Sequence, residues 1–160
     1  MRDLKESVVT GIAGKKDFTS ITLEKSMMNA EVGFVEKVLS IIGKRGISFE
    51  HLPSGIDTMS LVIDNEHLKN GVLKEIVREM DEAVNPDRIY THENMALIAT
   101  VGHGMANNVG TSARLFKALS EAGVNVCMID QGSSELNIIV GVENDDYATC
   151  IKAIYNEFFD

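Results

Sequence analysis

The chain has 160 residues, 44% hydrophobic and 24% charged, an ordinary globular composition with room for one domain or two small ones. Lys and Arg number 15 against 24 Asp and Glu, so the net charge is −9, with no basic stripe to suit nucleic acid or an anionic membrane surface. No apolar run approaches the roughly 18 residues of a membrane span, the start MRDLKESVV has no signal-peptide core, and the isolated Cys127 and Cys150 read as buried thiols of a reducing, cytoplasmic setting.

In chain order, Ser7–Ile12 is a short β-branched run and Ala13–Asp17 a turn-like break. Phe18–Lys25 alternates, with Ile21 and Leu23 on one face, as a half-buried strand does. After a polar connection, Phe34, Val38, Ile41 and Ile42 share one side of a 3.6-residue period and predict an amphipathic helix. Gly46 lies just past its end, where a left-handed cap forms. Ile47–Leu52 reads as a strand, Pro53-Ser54-Gly55 as a turn and Thr58–Ile63 as the returning strand. Leu68, Val72, Leu73, Ile76, Val77 and Met80 form a second helical stripe, with Asp64 or Asn65 as its cap, and Arg88–Thr91 is a short strand. A second series follows. Met95–Val101 is an apolar strand and Gly102-His103-Gly104 its tight exit. Val109, Ala113, Phe116, Leu119 and Ala122 mark a helix ended by Gly123. Val124–Ile129 and Leu136–Val142 are strands, and Tyr147, Ile151, Ile154, Tyr155 and Phe158 line a last helix.

The two series are one pattern repeated. Shifted by 77 positions, residues 32–63 lie on 109–140 without a gap. Met28, Val32, Gly33, Gly46, Gly55 and Glu66 fall on Met105, Val109, Gly110, Gly123, Gly132 and Glu143. Such a repeat means two copies of one supersecondary unit. The first reads βαββαβ; the second reads βαββα and lacks its sixth element. An open sheet edge is a liability, so the economical topology sends the spare strand Ser7–Ile12 across to complete the second copy. The expected domains are 18–91, and 7–13 plus 94–160, the first inserted into the second.

Catalytic and nucleotide motifs fail. Gly102-His103-Gly104 lacks the third glycine of a dinucleotide fingerprint, and no Lys precedes Thr111 as a phosphate loop needs. His51, His67, His92 and His103 are scattered without zinc spacing. What remains is binding. A helix start offers unpaired amides and partial positive charge to a carboxylate. Gly33 admits close backbone approach there, with Phe34 and Val35 as the first amides. An ammonium needs acids, and Glu31, Glu50 and Asp57 are those expected to converge. Their counterparts in the second copy are Asn108, Cys127 and Ser134, so a cationic side chain finds less there. That copy is expected to be mainly structural, with a second effector as the alternative. The plainer reading makes Met28, Phe34, Val35 and Phe49 core, and Glu31 and Glu50 solvated acids.

Two such units, each with glycine at both ends of its first helix, resemble ACT domains, the ferredoxin-like amino-acid-sensing modules of the α+β class. The segments 9–13, 31–34, 46–51, 53–57, 101–105 and 131–138 together resemble the regulatory region of aspartokinases, closest to the lysine-sensitive, monofunctional type, from about Val8 to Phe159. The resemblance implies lysine at the start of the first ACT helix and against the following strand. The implied contacts are Met28, Glu31, Gly33, Phe34, Val35, Phe49, Glu50, Ser54, Gly55 and Asp57. It implies threonine as a possible second effector and a homodimer formed through the ACT domains. It also implies a catalytic domain or subunit that phosphorylates L-aspartate with ATP and magnesium. None of that catalytic machinery is in this sequence, so the chain is expected to be inactive alone, with no catalytic residue, cofactor or metal of its own. It is either a cut-out fragment or a natural regulatory subunit. The alternative is a constitutive dimerisation module with no small-molecule effector.

Overall fold

Hydrophobic side chains gather into two separate cores in the computed structural model, which describes residues 8–132, 134 and 136–159. Two compact units follow. A central unit comprises Asp17–Asn94, and a split unit joins the residues up to Lys16 with those from Met95 onward. The strands are β1 (Gly11–Glu24), β2 (Thr58–Asp64), β3 (Arg88–Val101), β4 (Met128–Asp130) and β5 (Asn137–Glu143). The helices are α1 (Phe34–Lys44), α2 (Val72–Val84), α3 (Thr111–Glu121) and α4 (Tyr147–Phe159). The unit boundaries fall inside β1 and β3, so each of these strands serves both units.

In the central unit the strand order is β2-β1-β3. β1 and β2 run antiparallel, from Phe18 opposite Asp64 to Glu24 opposite Thr58. Residues directly opposite one another share a face, so Ile21 with Leu61 and Leu23 with Met59 present one apolar surface. Onto it pack Phe34, Val38 and Ile42 of α1, and Ile76, Met80 and Val84 of α2, each spaced to share one helix side. Fully burying such a side chain contributes about 1.5–3 kcal/mol.

The split unit repeats the plan with the order β3-β5-β4. β3 and β5 are antiparallel, from Met95 opposite Glu143 to Val101 opposite Asn137. Ala96, Ile98, Ile138, Val140 and Val142 face Leu115 and Leu119 of α3 and Cys150 and Ile154 of α4. The N-terminal segment joins this unit: Val9 is buried in its core, and the Thr10 amide donates to the Val101 carbonyl at 2.8 Å. Ser7 lies outside the described residues.

Several boundaries differ from the sequence expectation. Ala13–Asp17 is not a turn but part of β1; only Asp17 departs, at φ 73°, a left-handed excursion that a short polar side chain tolerates. Arg88–Thr91 and Met95–Val101 are likewise one strand, with Asn94 at φ 58° where they join. Ile47–Leu52 forms no regular strand. It makes isolated pairings only, His51 with Val62, followed by Ser54 with Met59, because Pro53 has no N–H to continue a ladder. The strand expected at Val124–Ile129 shrinks to Met128–Asp130, since the Val124 amide is spent on the Leu119 carbonyl, closing the end of α3. Asp64 does cap, but its carboxylate takes the Glu66 amide of a short 3-10 turn, Asn65–Leu68; α2 itself starts from Gly71. Cys150 is buried as expected, whereas Cys127 is only half-buried.

Candidate functional site

β1 ends at Glu24 and the chain must turn before α1 can begin. The Lys25 amide donates to the Asp57 carbonyl at 2.9 Å, and the Met27 amide to the Asp57 carboxylate at 3.0 Å. The Ser26 amide donates to Asp87 Oδ2 at 2.7 Å. A 3-10 turn, Met28–Ala30, follows, and Met28 drops into the core. Gly33 is the N-cap of α1 at φ 82°. A Cβ there would meet nothing nearer than Glu36 Oε2 at 4.0 Å, so conformation rather than crowding requires glycine. The 11-residue helix directs its partial positive charge at this end.

The chain already holds an ammonium here. Lys25 Nζ lies 2.8 Å from Glu31 Oε2 and 2.7 Å from the Val84 carbonyl oxygen, and 5.6 Å from the centre of the Phe34 ring. A carboxylate, a carbonyl and an aromatic face are the groups that recognise an ammonium. Neither partner is fully exposed, at 22% and 33%, so water screens the pair only in part.

Of the ten residues implied for the effector, the structure gathers Met28, Glu31, Gly33, Phe34 and Asp57 around this helix start. Phe34 and Met28 are core, with 1% and 5% of their surface exposed. Val35 is exposed beside them. Ser54 and Gly55 belong to the exposed turn before β2; Ser54 pairs with Met59, and the Gly55 amide donates to the Thr58 carbonyl at 2.8 Å, at the Asp57 end of the strand. Phe49 and Glu50 stand farther off. The Glu50 amide donates to the Val62 carbonyl, three residues along β2 from Met59, or about 10 Å of extended chain. Sequence reasoning passed over Lys25 and the Val84 carbonyl. The available signal was a Lys and a Glu flanking the short Met-Met-Asn-Ala connection.

The equivalent start of α3 in the split unit has Gly110 as N-cap at φ 95° and opens a cleft of about 440 Å³. The preceding Gly102 is held for another reason: a Cβ there would fall 2.1 Å from the Val8 carbonyl oxygen, so the glycine admits the N-terminal segment. Ser133 and Glu135 of the 131–138 motif lie outside the described residues. Burial first, and then the Asp146 carboxylate, push the Cys150 thiol up to about 12. Burial and Glu143 raise that of Cys127 as well. Both thiols are protonated at neutral pH and poor nucleophiles. Among the described residues no helix is long and apolar enough to cross a membrane.

An ACT domain family model matches residues 98–158. Aspartokinase 3 of Bacillus subtilis (strain 168) is 39% identical over 158 residues, 99% of this chain and 35% of that protein. The crystal structure of Clostridium acetobutylicum aspartate kinase, described as an allosteric enzyme, matches with a TM-score of 0.90 and 54% identity, over 94% of this chain and 34% of that one. E. coli aspartokinase III in complex with lysine and aspartate, in its T-state, shares the fold, with a TM-score of 0.79 at 21% identity over 96% of this chain and 34% of that one. The chain spans about a third of the length of the curated relatives it matches. With its repeated units, its paired helix starts and these relatives, the chain belongs to the ACT-domain regulatory regions of aspartokinases.

Proposed function

We propose that this chain senses lysine for an aspartokinase, binding it at the start of α1 and thereby inhibiting the phosphorylation of L-aspartate by ATP. The observation that carries the reading is the helix start that combines α1's positive end with two acids, Glu31 and Asp57, and already cradles the ammonium of Lys25. A free amino acid presents a carboxylate to the helix amides and an ammonium to the acids. Lysine adds a second ammonium, which Glu31 would accept in place of Lys25. The lysine complex of E. coli aspartokinase III is consistent with that choice. Threonine is the candidate co-effector. On this reading ATP and magnesium act in a catalytic domain or subunit outside this sequence, and the chain works as a cytoplasmic homodimer through its ACT domains. An effector biases such an assembly only by its differential affinity for two states, and couplings of this kind are about 1–3 kcal/mol.

The test is a thermal-shift series with lysine, threonine and methionine, paired with mass measurement in solution. A ligand bound only by the folded state stabilises it by about 2.7 kcal/mol at one hundred times its dissociation constant. A lysine-selective rise supports the sensor. A second reading, constitutive dimerisation without an effector, is favoured by the exposed Met27, Val32 and Ile56 around the same helix start, at 70%, 96% and 71%. A dimer that ignores all three amino acids would establish it instead.

A further inference from the structure

We propose that the open edge of β3 in the central unit, with the groove between it and α2, docks a second copy of this chain, strand against strand, across a two-fold axis at Thr91. β5 pairs with β3 only from Met95 onward. Among the described residues, 88–94 therefore have β1 on one side and no strand on the other. Such an edge leaves amides and carbonyls ready for another strand. Alternate residues of a strand share a face, and Ile89, Thr91 and Glu93 line a groove of about 570 Å³ with Leu73, Val77 and Asp81 of α2. Leu73, Val77 and Ile89 are half-buried and carry the central core out to the surface. A second hollow of about 480 Å³ adjoins the groove and shares Leu73 and Glu93 with it.

Charge complementarity selects the occupant. Lys74 and Asp81 both line the groove, two turns apart on α2, or about 10 Å, too far to pair with each other. Neither has a charged partner in its own chain among the described residues, whereas Arg78 pairs with Glu82 at 3.6 Å. A uniformly basic or acidic strand would meet like charge at one end. A copy related by a two-fold axis lays α2 antiparallel to α2, so Lys74 of each faces Asp81 of the other. Opposite residues of paired strands share a face, so a two-fold axis normal to the sheet places one residue opposite itself. Thr91, midway along 88–94, is that residue.

The inference stands on the β3 edge and α2, and depends neither on lysine binding nor on a dimer at the start of α1. The experiment uses the full chain in solution. Opposite residues of an antiparallel pair have Cα atoms about 4.5–5.5 Å apart, within disulfide reach. Thr91→Cys, treated with oxidised glutathione, should give a dimer whose disulfide maps to position 91 in both copies. Val109→Cys, fully exposed in the split unit, should not link in this way. Lys74→Glu should weaken self-association through this face at least about tenfold, because like charges then oppose. Adding Asp81→Lys should restore it, since the swap recreates both ion pairs. Ile56→Lys, next to β2 at the other end of the strand order, should leave the position-91 link intact, so a dimer at the α1 start is scored separately. The proposal is overturned if no disulfide joins position 91 to itself at up to about 1 mM chain, the weak end of specific association. It is overturned equally if Lys74→Glu links Thr91→Cys as readily as before, or if Asp81→Lys fails to rescue it.

Discussion

The two helix starts share a backbone and differ in charge. Gly33 and Gly110 both turn left-handed, at φ 82° and 95°. Met28 and Met105 are both buried, Phe34 and Thr111 are both buried, and Val32 and Val109 both project into solvent. The ionic groups do not repeat. Glu31 becomes Asn108, Asp57 becomes Ser134, and Lys25 becomes Gly102, where the Val8 backbone passes too close for any side chain. Duplication kept what folding requires, the cap, the buried methionine and the register of the strands. It released the charges, which no packing constraint fixes. The same scaffold can therefore present an acid-flanked start in one unit and a neutral cleft in the other.

The largest effect should separate the two at their first helical residue. Phe34→Ala removes a core aromatic and should cost about 3–5 kcal/mol in denaturant unfolding. Thr111→Val, at the matching position, loses only its bond to Asn108 and should cost about 1 kcal/mol. Equal costs would mean the two starts are packed alike. Next, Gly33→Ala and Gly110→Ala each force a Cβ into a left-handed cap, and each should cost about 1–2 kcal/mol. Matching losses would support the shared backbone, and a clear inequality would break it.

The third effect belongs to the split unit alone. The Cys150 thiol is raised by burial to about 12, while an unfolded thiol ionises near 9.0. Between these values the unfolded state binds fewer protons than the folded one, so stability falls as pH rises, by up to about 1.4 kcal/mol per pH unit. Unfolding measured at pH 8 and pH 10 should show this loss, and Cys150→Ala should reduce the pH dependence to the part that the raised Cys127 thiol contributes, even as it lowers stability. The smallest effect concerns Lys25. Lys25→Met should change stability by less than about 1 kcal/mol, since its ion pair is partly exposed. Yet it should tighten lysine binding by freeing Glu31. Weaker binding would show that Lys25 helps hold the effector rather than compete with it.

Much of this architecture was legible in the sequence. The period of Phe34, Val38 and Ile42, the alternation around Ile21 and Leu23, and the 77-residue repeat carry the helices, the strands and the paired plan, because hydrophobic periodicity is a local signal. Strand ends were less legible. Asp17 and Asn94 look like turn residues, but the long strands absorb each as a single left-handed residue. Ile47–Leu52 is apolar enough for a strand, yet Pro53 limits it to isolated bridges. The site was legible in part. Glu31 and Asp57 could be named from charge and position near a helix start, but that Lys25 sits on Glu31 depends on the path of the connection through Asp57 and Val84. The cleft in the split unit was less visible still, since neutral polar residues such as Asn107, Asn108 and Ser112 carry no sequence signature.

Calorimetric titration of lysine into the parent chain, Glu31→Gln and Asn108→Gln tests the central claim most directly. The account predicts that Glu31→Gln weakens lysine binding about tenfold or more, the worth of a charge-assisted hydrogen bond, while Asn108→Gln leaves it unchanged. Undiminished affinity in Glu31→Gln, or a loss confined to Asn108→Gln, would contradict the assignment of lysine to the acid-flanked helix start.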